Sequence, residues 1–147
     1  MEAFKVKGGR RLSGTIKPQG AKNEALQVIS AVLLTEQKVT IENIPNIIDV
    51  NRLIDLLKSL GVVIKQINDH KYSFEAKEID IDYLKSSDFE EKAKGLRGSI
   101  MIIGPLLSRF GYASIPKPGG DKIGRRKLDT HFEGLVKLGA EFQYDKD

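Results

Sequence analysis

The sequence predicts a mixed α/β (α+β) domain made of one structural unit used twice. Three observations carry that expectation. A fixed order of elements, helix, short strand, helix and then strand, runs once from about residue 21 and again from about residue 95. Landmarks recur at a constant offset: Leu33 and Leu106 are 73 apart, and so are Pro45 and Pro118. The chain has 147 residues, 40% hydrophobic and 30% charged, enough for one domain with a real core.

The first unit opens with NEALQVISAVLL (residues 23–34), apolar on all sides and so expected as a buried helix. KVTI (38–41) follows as a short strand, and ENIPN (42–46) as a loop. In DVNRLIDLLKSLG (49–61), Val50, Leu53, Ile54, Leu57 and Leu60 share one helical face, and Gly61 stands just past the end. VVIKQI and KYSFEA are two strands around a turn at Asn68-Asp69. The acidic stretch 77–94 reads as a connector with a short helix near FEEKAK.

The second unit repeats the order. GLRGSIMIIGPLL (95–107) is a helix in which Pro105 marks a kink or an early end. YASI (112–115) is the short strand. LDTHFEGLVKLG (128–139) is amphipathic through Leu128, Phe132, Leu135 and Leu138, and AEFQY (140–144) begins a strand. Leu60 and Leu138 are 78 apart, so five residues are inserted after Pro118. A repeat that keeps its scaffold and lengthens one loop points to function in that loop.

That loop, PKPGGDKIGRR (116–126), sets the lone carboxylate of Asp121 among Lys117, Lys122, Arg125, Arg126 and Lys127. The net charge is +4, and this loop concentrates it without an aromatic ladder. A compact anion fits such a patch better than a nucleic acid does. With no cysteine, thiol chemistry and disulfides are excluded, and His70 and His131 form no metal-spacing motif. No metal or cofactor is expected. His131 reads as a capping or packing residue and His70 as a solvated one. No apolar run nears a membrane-spanning length, and MEAFKVKGGRR lacks the apolar stretch of a secretory signal. A cytoplasmic location without membrane contact is the expectation.

Superposing the units sets Lys22, Asn23 and Glu24 opposite Gly95, Leu96 and Arg97, each group at a helix start. Helix N-termini leave unpaired N–H groups and a partial positive charge. Lys22 and Arg97 thus mark two anion-ready points.

GAKNEAL (20–26), GLRGSIMIIGPLLSRFG (95–111) and PGGDKIGRRKLDTHFEGLVKLGA (118–140) closely resemble the UDP-N-acetylglucosamine 1-carboxyvinyltransferases, the MurA family of bacterial enolpyruvyl transferases. The likeness runs from Phe4 to the last residues. It implies two domains of repeated βαβαββ units (an inside-out α/β barrel) with the active site in the cleft between them. Family members are several times longer, so the chain is expected to be an N-terminal fragment holding about two units of the first domain. Residues 1–20 would then be strands (about 3–7 and 12–16) that pack with the second domain. Residues 21–147 would be the partial first domain: unit one about 21–76, connector 77–94 and unit two 95–147.

The implied activity transfers the enolpyruvyl group of phosphoenolpyruvate to the 3-hydroxyl of UDP-N-acetylglucosamine, the first committed step of peptidoglycan synthesis. By resemblance, Lys22, Asn23 and Arg126 contact phosphoenolpyruvate. Arg97, Arg126, Lys127, Leu128, Asp129 and Thr130 line the UDP-N-acetylglucosamine site. Asp121 stands where most members carry the proton-donating Cys that fosfomycin alkylates, so the substitution implies fosfomycin resistance. The base for the sugar hydroxyl, an Asp, and a further Arg would come from the missing C-terminal portion, leaving this fragment inactive alone. The alternative is a non-catalytic module that binds nucleotide sugars or other anions.

Overall fold

The computed structural model describes residues 3–117 and 128–144. Helix α1 spans Lys22–Ala31 and tightens into a 3-10 turn at Val32–Leu34. Ala25, Leu26, Ile29, Val32 and Leu33 are buried along it, whereas Val28 and Leu34 are about half exposed. The helix is therefore one-sided, and the expectation of burial all round is corrected.

Strand β1 (Val39–Ile41) leads through a loop to α2 (Ile48–Ser59). The buried face of α2 carries Val50, Leu53, Ile54, Leu56 and Leu57. Removing a Leu or Ile side chain from water stabilises the fold by about 1.5–3 kcal/mol, so this stripe anchors the unit. Gly61 ends α2 at φ +100°, and a Cβ there would lie 2.3 Å from the Glu78 carbonyl oxygen. Only glycine satisfies both the left-handed backbone and the close approach.

Strands β2 (Val63–Asn68) and β3 (Lys71–Glu75) form a hairpin, with the turn at Asp69-His70. The sheet order is β1-β3-β2, all antiparallel, with Val39 opposite Phe74 and Ile64 opposite the same Phe74. The central strand is the buried one: Tyr72, Ser73 and Phe74 are enclosed. β2 is an edge strand and mostly exposed.

The acidic connector packs into the core rather than merely spanning between units. A 3-10 turn at Asp82–Lys85 and helix α3 (Ser87–Lys94) bury Leu84, Phe89 and Ala93. Ser86 caps α3, its hydroxyl oxygen accepting from the Phe89 N–H at 3.1 Å. On the wet side, the Lys92 ammonium donates to Asp88 at 2.7 Å and to the Ser59 hydroxyl of α2 at 2.8 Å.

The segment expected as one helix divides. Arg97–Ile102 is 3-10 and α4 covers Ile103–Phe110. Pro105 is the third residue of α4, inside the first turn, where a missing N–H breaks no helical bond. The proline marks a beginning rather than an end. Arg109 near the end of α4 ties the two halves of the chain. Its guanidinium donates to the carbonyls of Leu33 at 3.1 Å and Ala76 at 2.6 Å, and pairs with Glu36 at 3.1 Å.

Helix α5 (Asp129–Lys137) forms where the amphipathic pattern predicts, yet none of its residues is buried. The stretches 3–7, 12–16, 112–115 and 140–144, expected as strands, carry none here. A strand exists only through ladder bonds to a partner, and the three described strands pair only with one another. Phe4, Val6, Leu12 and Ile16 are correspondingly almost fully exposed.

Candidate functional site

Lys22 is the first residue of α1 and Asn23 the second, both exposed. The preceding residue, Ala21, is extended and offers no side-chain cap. The backbone N–H groups of this first turn thus look for acceptors outside the helix.

The start of α1 is held on one side by an unusually close backbone contact. A Cβ at Gly20 would lie 1.9 Å from the carbonyl oxygen of Asn43. Asn43 itself has φ +60°, a conformation asparagine tolerates better than most residues. The same loop is braced by His70. The Ile44 N–H donates to the His70 carbonyl at 2.9 Å, and His70 Nδ1 lies 2.9 Å from the Ile44 carbonyl oxygen. A carbonyl only accepts, so Nδ1 is the donor. His70 is exposed, as expected of a solvated residue beside the hairpin turn, and it also braces the loop.

On the other side, the Lys22 ammonium pairs with Asp49 in the first turn of α2 at 2.9 Å. One turn along the same helix, Arg52 donates to the Gly95 carbonyl at 3.0 Å. Residues three apart on a helix are neighbours. One edge of α2 therefore reaches both helix starts that the repeat set opposite each other. Sequence reasoning read α2 only for its apolar stripe and missed Asp49, Arg52 and Gly20. An acid and a base spaced i, i+3 at the head of that helix were the available signal.

Arg97 opens the 3-10 segment and is half-buried. The next residue, Gly98, lies against α1: a Cβ there would stand 3.0 Å from the Leu26 side chain. Leu26 is one turn beyond Lys22 on the same face of its helix. Lys22, one turn before Leu26, and Arg97, next to Gly98, thus stand near the same contact.

Leu128 is half-buried, while Asp129 and Thr130 are exposed in the first turn of α5. A groove of about 390 Å³ runs between α5 and the segment that follows Arg97, lined among others by Thr130, His131, Met101 and Gly104. The structure thereby brings Thr130 next to the Arg97 segment. His131 lines the groove and is exposed. Asp121, Arg126 and Lys127 lie outside the described residues. Among the described residues, no group of three or more His, Asp or Glu side chains is arranged to hold a metal ion.

The described residues thus offer a paired lysine and an arginine near one interhelical contact, and a separate groove whose lining includes Thr130 but neither Lys22 nor Arg97. Such an arrangement suits an anionic ligand of modest size.

The family described as EPSP synthase (3-phosphoshikimate 1-carboxyvinyltransferase) matches residues 6–147. A Bacteroides thetaiotaomicron protein named UDP-N-acetylglucosamine 1-carboxyvinyltransferase is 56% identical over 146 residues, 99% of this chain and 34% of the relative. A protein of the same name from Porphyromonas gingivalis is 55% identical over 147 residues, again 34% of its length. The chain spans about a third of the length of these curated relatives. Among solved structures, the enolpyruvyl transferase NikO from Streptomyces tendae is similar at a TM-score of 0.56 and 27% identity, over 71% of this chain and 23% of that one.

Proposed function

The chain belongs to the EPSP synthase family of carboxyvinyltransferases, and on that premise we propose that it serves as part of a UDP-N-acetylglucosamine 1-carboxyvinyltransferase. The observation that carries this reading is the 56% identity, across 99% of the chain, to a relative bearing that name. The reaction moves the enolpyruvyl group of phosphoenolpyruvate onto the 3-hydroxyl of UDP-N-acetylglucosamine and releases phosphate. It would serve peptidoglycan synthesis in the cytoplasm. No helix among the described residues is long and apolar enough to cross a membrane.

In this reading the chain is about two units of the first domain, and residues 1–20 pack with a second domain from the same protein. The exposed Phe4, Val6, Leu12 and Ile16 fit that role. A base and a further arginine come from that portion.

The chemistry asks for fixed cations and one acid. The sugar oxygen bonds to C2 of the enol while C3 gains a proton, giving a tetrahedral intermediate. That intermediate loses C3's proton and the phosphate together, restoring the double bond. Lys22, Asn23 and Arg126 hold the phosphoenolpyruvate. Arg97 and residues 126–130 hold the nucleotide sugar. Cations held in place before the reaction stabilise the leaving phosphate without reorganising.

Asp121 gives C3 its proton. The surrounding bases favour its carboxylate, yet a general acid must hold a proton. Substrate anions that neutralise those bases restore proton affinity. Asp121→Asn is expected to lose about 100-fold or more in turnover, measured as phosphate release by the protein from its complete reading frame. Normal turnover would remove Asp121 from the mechanism. The parent should form no fosfomycin adduct by mass spectrometry, because a carboxylate is a weaker nucleophile than a thiolate. Asp121→Cys should form one.

A further inference from the structure

We propose that Asp49 is a positioning residue for the anionic substrate: it holds the Lys22 ammonium in place through their 2.9 Å ion pair. The proposal rests on the reading of Lys22 as a phosphoenolpyruvate ligand.

The two residues are 27 apart in sequence and sit at the heads of two helices that pack together. A lysine at a helix start is free to sample many rotamers. Fixing it costs up to about 2 kcal/mol of entropy, which an incoming ligand would otherwise have to supply. Asp49 meets that requirement before the ligand arrives. Its own place is favourable, since the partial positive charge at the head of α2 complements a carboxylate. An ammonium carries several N–H donors, so bonding Asp49 leaves others to face a phosphate or carboxylate oxygen.

The rest of the neighbourhood removes slack from this pair. Gly20 seats the start of α1 directly on the Asn43 carbonyl, and His70 fixes the next residue, Ile44. That loop leads straight into α2 and Asp49. One turn on, Arg52 anchors the same edge of α2 to the Gly95 carbonyl, two residues before Arg97. The pair is part exposed, with side-chain exposures of 49% for Lys22 and 37% for Asp49. Such a pair contributes no more than about 1 kcal/mol to folding. Its effect therefore belongs in ligand binding, where a small misplacement is amplified.

The test is steady-state kinetics on the protein from its complete reading frame, varying phosphoenolpyruvate at saturating UDP-N-acetylglucosamine. Asp49→Asn should raise the KM for phosphoenolpyruvate about tenfold. It should leave kcat, the KM for the sugar nucleotide and the thermal midpoint close to the parent's. Asp49→Glu, which keeps the carboxylate, should recover part of the loss. Calorimetric titration with phosphoenolpyruvate reads the same shift if turnover is low. If Lys22→Ala weakens phosphoenolpyruvate while Asp49→Asn does not, the positioning role is overturned and the proposed function stands. If Lys22→Ala binds phosphoenolpyruvate like the parent, Lys22 is no ligand and both assignments fall. Equal losses for both substrates with a lowered thermal midpoint reduce Asp49 to a structural residue and overturn the proposal.

Discussion

The two regions that the sequence reads as copies of one unit differ in what they build. Residues 22–76 close two helices with a three-stranded sheet, and Leu53, Leu57 and Phe74 are at most 1% exposed. The described residues of 95–144 contribute Leu96, Ile102 and Leu106 to the same core, yet α5 buries nothing and no strand follows it among the described residues. The difference follows from where each element finds its hydrogen bonds. A helix satisfies its backbone within its own segment, so a repeated pattern yields repeated helices. A strand depends on a neighbour, so the same pattern yields a sheet only where pairing and burial coincide.

The sharpest test of this contrast is a pair of truncations. Phe74→Ala in the first region should destabilise the chain by about 3–5 kcal/mol, because the cavity opens under the central strand. Phe132→Ala in α5 should change stability by no more than about 1 kcal/mol. Urea unfolding of both variants checks this, and similar losses would erase the distinction between the regions.

Arg109 is the tie between them. Its side chain is only 14% exposed and bonds carbonyls in the first region from a helix of the second. Arg109→Met keeps much of the volume and removes the donors. It should cost about 1.5–3 kcal/mol, the range for hydrogen bonds to a charged group. A thermal midpoint unchanged from the parent would mean that the regions hold together through apolar contact alone.

The smallest effect concerns the connector. Hydrogen bonds from the Lys92 ammonium and then from the Tyr83 hydroxyl hold the Asp88 carboxyl below the usual aspartate range. A carboxyl with a lowered folded pKa contributes stability above its unfolded pKa. It loses that contribution as the pH falls through the folded value. Urea midpoints followed from neutral into acid should therefore fall less steeply for Asp88→Asn than for the parent. Identical acid limbs would show that the cluster does not couple the connector to folding.

Legibility in the sequence followed the same physical line. The stripe of α2, Gly61 at its end, the β2-β3 hairpin and the amphipathic α5 were all readable from local spacing. The position of Pro105 was readable but its sense was not. A proline is tolerated in a first turn and disruptive later, and which applies depends on where the helix begins. Of the candidate site residues, Lys22 and Arg97 emerged from the internal repeat, because both stand at the same point of their units. Asp49 and Gly20 did not. Their significance lies in what they touch, and the residues they touch are more than twenty positions away.

By itself, then, the sequence determined α2, α5 and the β2-β3 hairpin, since periodicity and turn chemistry act between near neighbours. It also determined the family, because identity over nearly the whole chain needs no coordinates. Only the tertiary structure decided that Lys22 is gripped by Asp49, that Gly20 rests on a carbonyl and that Arg109 clamps two regions. Those outcomes come from long-range packing, where one close contact selects among side-chain arrangements that local sequence leaves equivalent.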